Sequence, residues 1–343
     1  MTQPAGGRKL ALRMSTPPRI QEAAAQVRAR LQERIVGLDG PIELLLLSVF
    51  SGSHALLEGV PGLAKTLVVR TLAELLDLEF SRIQFTPDLM PSDITGAEII
   101  AEDVATGERS FKFLRGPVFT NLLLADEINR TPPKTQAALM EAMEELQVTV
   151  RGERMSITAP FSVLATQNPI EQEGTYPLPA AQLDRFLFHI RLDYPARNEE
   201  LRMLRRTTAQ EPRVLGRVLS RDEIVATVAA IRAAPISTEV ARTAASLVRR
   251  SRPDNEQAPE QVKRFVHYGA GPRAAQALVL AANARAFING RAAAAPADVL
   301  ALAGDTLRHR LVMRFAAAAE SVSADNIIRT LVETHSSAQT GSR

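Results

Sequence analysis

The sequence predicts an α/β chain: a mostly parallel five-stranded sheet covered on both faces by helices, followed by an all-α domain. Three observations point there. Five short apolar runs alternate with stretches of helical periodicity: "HALLE" (54–58), "FSRIQF" (80–85), "NLLLAD" (121–126), "FSVLAT" (161–166) and "FLFHI" (186–190). Strands separated by helices pair in parallel, because a parallel crossover needs a dozen or more residues. After "LDYPARNEE" (192–200) the strand pattern stops and only helical stripes remain. Aromatic residues make up only 4% of the chain, with no Trp, while Ala and Leu are plentiful, a balance that favours helix.

A length of 343 residues suggests about two domains. Residues 1–20 carry Gly, Pro and Thr without apolar periodicity and read as a loose tail. The sheet domain spans 21–195, a helical domain 196–335, and a polar tail 336–343. A helix is expected over 132–147, with Thr131 as its N-cap, Pro132 in its first turn, and Leu139, Ala142, Met143 and Leu146 on its buried face. Two stretches interrupt the alternation. "AEIIAEDVATGERSFKF" (97–113) reads as two short strands around a Thr-Gly turn, and "VTVRGERMSI" (148–157) as a hairpin around Arg151-Gly152. In the helical part, Ser220 and Glu223 form a capping box. Ala277, Ala281, Ala284 and Ile288 make a stripe that ends at Asn289-Gly290, and Leu300, Ala303, Leu307 and Leu311 make another. No internal repeat is visible.

Composition narrows the function. No Cys is present, so disulfides, thiolate metal sites and a cysteine nucleophile are excluded. No run approaches a membrane helix and "MTQPAGGRKLALRMSTPPRI" lacks an apolar segment of signal-peptide length, so a cytoplasmic address is expected. The net charge is +3. Arginine is densest over 202–252, but no aromatics interleave with it and no nucleic-acid module is recognisable, so solvated helix faces are the simpler reading. His54 and His189 lie on the apolar runs and read as core residues.

Chemistry concentrates in three places. "LEGVPGLAKTLVV" (57–69) fits the phosphate-loop pattern of a strand, a Gly-rich loop and a helix start: Gly59, Lys65 and Thr66 match, and Ala64 stands where a second Gly is usual. The loop's backbone N–H groups would cradle phosphates, with Gly59 and Gly62 permitting close approach and Val60, Pro61, Leu63 and Leu67 completing the turn. Lys65 would place a mobile charge on the β- and γ-phosphates, and the Thr66 hydroxyl would ligate Mg²⁺. "NLLLADEINR" then ends an apolar strand in Asp126-Glu127, 61 residues after Lys65. Asp126 suits the Mg²⁺ shell and Glu127 suits activation of water, the group that separates hydrolases from kinases. In "LATQNP", Asn168 stands just past a strand that would abut the acid pair; an Asn before Pro is also a common turn residue, and the residues alone leave that open.

These stretches together resemble the MoxR family of AAA+ ATPases. "EGVPGLAKT", "FTPDLMPSDITG", "LRGPVF", "LLLADEINRTPPKTQAALMEAMEE" and "ATQNPIEQEGTYPLPAAQLDRFLF" are similar to that family motif after motif, from about 30 to 335 and most closely over 57–190. "PGLAKT" is the family's usual loop, which accounts for Ala64. The resemblance implies an AAA+ αβα sandwich with a helix-2 insert near 97–113, a pre-sensor-1 hairpin at 148–157 and a helical lid, assembled as a ring, typically a hexamer, with active sites between subunits.

The resemblance also implies roles for residues outside the three motifs. Asn168 is similar to sensor 1. Arg185 in "QLDRF" stands where an arginine finger would enter a neighbour's site, with Arg191 as second candidate; a surface ion pair is the alternative for each. Arg273 in "GAGPRAAQAL" resembles sensor 2, acting in cis or in trans. Ile35, Val36 and Gly37 in "IVGLDG" would pack on adenine. The family often has Glu where Ala180 stands, which leaves a contact there in doubt. His309-Arg310 in "LRHRL" read better as helix packing. The cofactors implied are ATP and Mg²⁺. The implied output is chaperone-like remodelling or maturation of a protein client, such as a metal- or cofactor-dependent enzyme, with von Willebrand A domain proteins as typical partners and nucleic acid not among them. The alternative is the motor subunit of a magnesium-chelatase-like complex.

Overall fold

The structure, a computed structural model, describes residues 16–102, 109–150, 152–170, 174–207 and 215–340. The chain opens with helices α1 (Pro17–Arg34) and α2 (Asp39–Phe50), strand β1 (Ala55–Gly59), helix α3 (Lys65–Leu75) and strand β2 (Phe80–Gln84). A short helix α4 (Pro91–Thr95) leads into β3 (Gly96–Glu102) and β4 (Arg109–Arg115). Then come β5 (Leu122–Asp126), α5 (Pro133–Glu145), β6 (Gln147–Val150), β7 (Glu153–Ser156), β8 (Ser162–Gln167), α6 (Ala180–Leu183), β9 (Phe188–Leu192) and α7 (Arg197–Thr207).

The five apolar runs form one sheet in the order β2-β5-β8-β1-β9, every pair parallel. Alternation along the strands divides the core in two. Ala55, Leu57, Leu122, Leu124 and Leu164 face a cluster with α1, α2 and α3, whereas Leu56, Leu123, Ala125, Val163 and Ala165 face α5. The two interruptions are antiparallel ribbons, β3 with β4 and β6 with β7. Gly152 has a φ of +86°, as a tight turn requires. Arg151 and the expected Thr-Gly turn of the first ribbon lie outside the described residues, as do residues 1–15 and 341–343 of the expected tails.

The remaining elements are α8 (Arg221–Arg232), α9 (Thr238–Arg250), α10 (Glu260–Phe265), β10 (Val266–Tyr268), α11 (Pro272–Ile288), α12 (Pro296–Leu307), β11 (Val312–Met313), α13 (Phe315–Ala319) and α14 (Ala324–Thr340). Ser220 and Glu223 form the expected capping box, with Ser220 N donating to Glu223 Oε2 at 2.8 Å. Helix α11 joins two cores. Ala274, Leu278 and Ala282 face α9 and α12, whereas the stripe Ala277, Ala281, Ala284 and Ile288 packs into the cluster beneath α1 and α2. Small side chains on that second face let the helices approach closely. Among the described residues no helix is long and apolar enough to cross a membrane.

Several local expectations change. Helix α1 begins at Pro17, inside the stretch read as tail, because Ile20, Ala23, Ala24, Val27 and Leu31 supply a buried stripe. Helix α14 likewise runs on to Thr340. Pro132, not Thr131, stands at the N-cap position of α5, which no side chain caps; the Thr131 hydroxyl donates instead to Thr86 O at 3.1 Å. Leu146 ends α5 in a left-handed turn and is 47% exposed. The helical domain also contains one small antiparallel pair, β10 with β11.

His54 is a core residue as read. Val163 N donates to His54 Nδ1 at 2.9 Å and His54 Nε2 lies 3.2 Å from Met143 O, which fixes the neutral tautomer. Burial lowers its pKa to about 4. His189 is less enclosed, its Nε2 3.0 Å from Glu58 Oε2. His309 and Arg310 do more than pack helices, because the carbonyls of the turn that leads into the edge strand β9 need donors. His309 Nε2 is 3.0 Å from Phe186 O, and Arg310 donates to Asp184 Oδ1 at 2.7 Å, Phe186 O at 2.8 Å and Leu187 O at 3.3 Å. The lid thus ties down the sheet's free edge.

Two outcomes follow. His54 and His309 both have depressed pKa values, chiefly from burial, so the unfolded chain binds protons that the folded chain does not. Stability is then full above about pH 6.5 and declines towards pH 4, by about 3 kcal/mol for His54 alone; thermal melts across that window read it, and a flat melting temperature contradicts it. Arg310→Ala leaves Asp184 and several carbonyls without their donor, and chemical denaturation should show a loss of about 3 kcal/mol.

Candidate nucleotide-binding site

Strand β1 ends at Gly59 and α3 begins at Lys65, so five residues must reverse the chain. Gly59 has no alternative: a Cβ there would lie 2.8 Å from Leu192 Cβ and 2.9 Å from Leu192 O. Gly62 has a φ of +87° and Ala64 is left-handed at φ 54°, ψ 22°. A left-handed Ala costs about 1 kcal/mol, little enough for packing to hold it. Ala64 therefore takes the conformation for which the usual pattern supplies Gly. No side chain caps α3, so its first N–H groups and the positive end of its dipole are open to an anion. Lys65 Nζ donates to Gly59 O and lies 3.5 Å from Gln167 O, across the mouth of the loop. Thr66 follows it, half-buried in the first turn of α3, which packs against β5.

The acid pair stands beside this loop because of strand register. Gln84 pairs with Asp126, and Ala125 pairs with Ala165, so Thr166 stands level with Asp126. Thr166 Oγ1 donates to Asp126 Oδ1 at 2.6 Å, while Arg82 reaches Asp126 Oδ2 from Nη2 at 2.7 Å and Nε at 3.1 Å. Glu127 is left-handed at φ 58°, ψ 49°, which turns its side chain off the strand axis. Its Oε2 accepts from Gln84 Nε2 at 2.9 Å and lies 3.0 Å from Arg130 Nε. Asn168 is 5% exposed one residue beyond β8, and its Oδ1 accepts Ile170 N at 3.2 Å, the turn contact that the sequence left open.

A mostly apolar cavity of about 130 Å³ adjoins the loop, lined by Ile35, Val36, Leu38, Leu63, Ala64, Leu67, Pro195 and Met203, with Arg34 also on its wall. Gly37, at φ +81°, turns the chain beside it. An apolar slot next to a cradle of N–H groups suits a purine carrying phosphates. The contributions of Leu38, Pro195 and Met203 were not legible, since nothing in their local sequence separates them from ordinary core.

Arg185 and Arg273 lie elsewhere. Both pair with Glu144, Arg185 Nη2 on Oε2 and Arg273 Nη2 on Oε1 at 2.8 Å. First Arg273 and then Arg185 hold the Glu144 carboxyl below its usual range. They line a cavity of about 450 Å³ with Gly52, Ser53 and His54, at the amino-terminal end of β1. The phosphate loop leaves the opposite end, five residues on, or about 17 Å away at the usual rise of a strand. No arginine side chain spans that distance. Arg191, the second finger candidate, is at the loop's own end: it pairs across the sheet with Glu58, and its guanidinium bonds Asp325 and lies 3.6 Å from Glu58. It is therefore not grouped with Arg185. Ala180 is exposed at the start of α6.

The structure thus brings together the loop, Asp126, Glu127 and Asn168, and gathers Arg185 and Arg273 at the other end of the sheet. Sequence reading missed Glu144, which no pattern separates from the other acids of α5, and it missed Thr166, Arg82 and Gln84. The last three could have been found by aligning the strands in parallel from Asp126.

Comparison with known proteins agrees with this architecture. Residues 54–188 match the ATPase family associated with various cellular activities (AAA), and 258–331 match the AAA lid domain. The chain is 43% identical over 305 residues to Chaperone MoxR1 of Mycobacterium tuberculosis, covering 88% of this chain and 78% of that one. It is 31% identical over 309 residues to protein MoxR of Methylorubrum extorquens, covering 85% and 88%. The crystal structure of a candidate ATPase from Cytophaga hutchinsonii superposes with a TM-score of 0.85 at 41% identity, over 92% of this chain and 95% of that one. A full-length MCM homolog from Methanopyrus kandleri shares the fold alone, at 17% identity and a TM-score of 0.56, covering 97% of this chain and 63% of that one. With the phosphate loop, the acid-bearing strand, the insert and the lid in place, the chain belongs to the MoxR family of AAA+ ATPases.

Proposed function

We propose that this chain hydrolyses ATP with Mg²⁺ in a ring of identical copies and uses the cycle to remodel a protein client. The observation that carries the reading is the division of the site: a phosphate cradle with an acid pair at one end of the sheet, and two arginines sharing one carboxylate at the other. A cyclic, head-to-tail contact between copies places one end against the other, so a neighbour supplies what each chain lacks.

The residues present fit both ligands. The uncapped start of α3, the Gly59 position that a Cβ would block, and the apolar slot suit an adenine nucleotide. Thr66 and Asp126 offer the hard oxygen donors that Mg²⁺ prefers, and Asp126 already accepts a cation, Arg82. Held by Thr66 and Asp126, Mg²⁺ would supply positive charge against the phosphates. Lys65 exchanges the carbonyls of Gly59 and Gln167 for phosphate oxygens. Glu127, released from Gln84 and Arg130, takes a proton from the attacking water, and Asn168 orients that water. Arg185 and Arg273 of one copy leave Glu144 and meet the charge that develops on the phosphate held by the next copy. Ile35 and Val36 hold the base beside the loop, and the length of β1, about 17 Å, between that loop and the arginine pair makes both arginines act in trans. The client is a protein awaiting maturation, and a von Willebrand A domain protein is a fitting partner.

Substitutions separate these roles. Lys65→Ala should abolish ATP binding measured by titration with a fluorescent analogue, whereas Glu127→Gln should retain it and lose turnover. Arg185→Ala should bind ATP with turnover lower by about three orders of magnitude, the scale of a trans finger. Mixed rings of Arg185→Ala with Lys65→Ala chains should recover activity, since an intact cradle then meets an intact finger; no recovery would remove Arg185 from the trans role.

A further inference from the structure

Thr166 is buried, 1% exposed, on β8 and takes no part in the scheme above. Its one hydroxyl nevertheless touches both acids. Oγ1 donates its only proton to Asp126 Oδ1 at 2.6 Å, and its lone pair accepts the Glu127 N–H at 2.8 Å. A hydroxyl has one donor and two acceptor sites, so these contacts fix its rotor. The same hydroxyl then fixes the carboxylate of one residue and the backbone of the next.

We infer that Thr166 is the positioning residue of the acid pair, setting which oxygen of Asp126 faces the metal shell and where the Glu127 carboxylate is aimed. Two features carry this. Asp126 is held from both sides, but unequally: Thr166 sits buried inside the sheet on Oδ1, whereas Arg82, bonded to Oδ2 and to Gln84 Oε1, is 45% exposed at the solvent edge. When a competing cation arrives, Arg82 yields and Thr166 stays. Oδ2 is therefore the oxygen presented to the metal shell, with Oδ1 as its anchor. Glu127, for its part, adopts a left-handed backbone that a side-chain-bearing residue rarely takes, and the bond from its own N–H to Thr166 stabilises that turn. Without it the Glu127 carboxylate leaves the strand in another direction. The register that sets Thr166 level with Asp126 makes both contacts possible at once.

The inference rests on the ATP-hydrolysing reading, and its test separates the two. The full chain is compared as wild type, Thr166→Val, which keeps the shape without the hydroxyl, and Thr166→Ser, which restores it. One readout needs no turnover: the affinity for a fluorescent non-hydrolysable ATP analogue with and without Mg²⁺. Thr166→Val should bind the analogue as wild type does without Mg²⁺, lose about 10- to 100-fold of the tightening that Mg²⁺ confers, and lose kcat by a similar factor, with KM for Mg²⁺-ATP rising in step with the weaker binding. Thr166→Ser should recover both to within about threefold. Thr166→Ala serves as a second hydroxyl-free variant where Val does not fold. A Val or Ala variant that matches wild type in both readouts overturns the role of Thr166 alone, as does a Ser variant as impaired as Val. Wild type without any Mg²⁺-dependent binding of the analogue overturns the nucleotide reading itself.

Discussion

The parallel registration of β2, β5, β8 and β1 is the constraint on which the site depends, because it brings the carboxyl ends of four strands to one edge at matched heights. Gln84, Asp126 and Thr166 stand in one row, and the chain leaves β1 for the phosphate loop one row beyond Glu58 and Gln167. Open α/β sheets bind ligands at this edge for that reason. The same registration is unforgiving. A slip of one residue between β5 and β8 would turn Thr166 to the opposite face and leave Asp126 with Arg82 alone. The apolar runs enforce the register, since Leu123, Ala125, Val163 and Ala165 bury one face of these strands while Leu122, Leu124 and Leu164 bury the other.

The same sheet explains why one chain is not a complete enzyme in the proposed scheme. Helix α5 starts near the acid pair and runs back to the far edge, where Glu144 on its last turn meets Arg185 before β9 and Arg273 at the start of α11. A carboxylate between two guanidiniums is a stable resting place in an isolated chain, and a phosphate from a neighbour is a competing partner of the same charge. The lid joins both ends of this arrangement. Arg310 and His309 hold the carbonyls that lead into β9, and Asp325 on α14 meets Arg191, whose neighbour Glu58 directly precedes Gly59. A movement of the lid therefore bears on the strand next to the phosphate loop.

Much of this was legible in the sequence where the signal is local. The Gly59–Thr66 pattern, the Asp126-Glu127 strand end, the capping box at Ser220 and the Ala277–Ile288 stripe are each set by neighbours a few residues away. What was not legible depends on distance in sequence. Arg185 and Arg191 look alike as arginines near one strand, and only the direction of β9 assigns them to opposite ends. Glu144 is one acid among several on α5 until two arginines converge on it. Thr166 reads as an ordinary polar residue closing an apolar run, and only the pairing of β8 with β5 shows what its hydroxyl holds. The tail boundary failed for a different reason: the stripe of α1 begins at Ile20, behind prolines that suit a helix start as well as a loop.

Whether catalysis needs the far end of a second copy is read from specific ATPase activity as a function of chain concentration, with mass measured on the same samples by light scattering. Activity per chain should be near zero where chains are separate and should rise to a plateau as they assemble. Activity per chain that stays constant through dilution to a monodisperse monomer would contradict it.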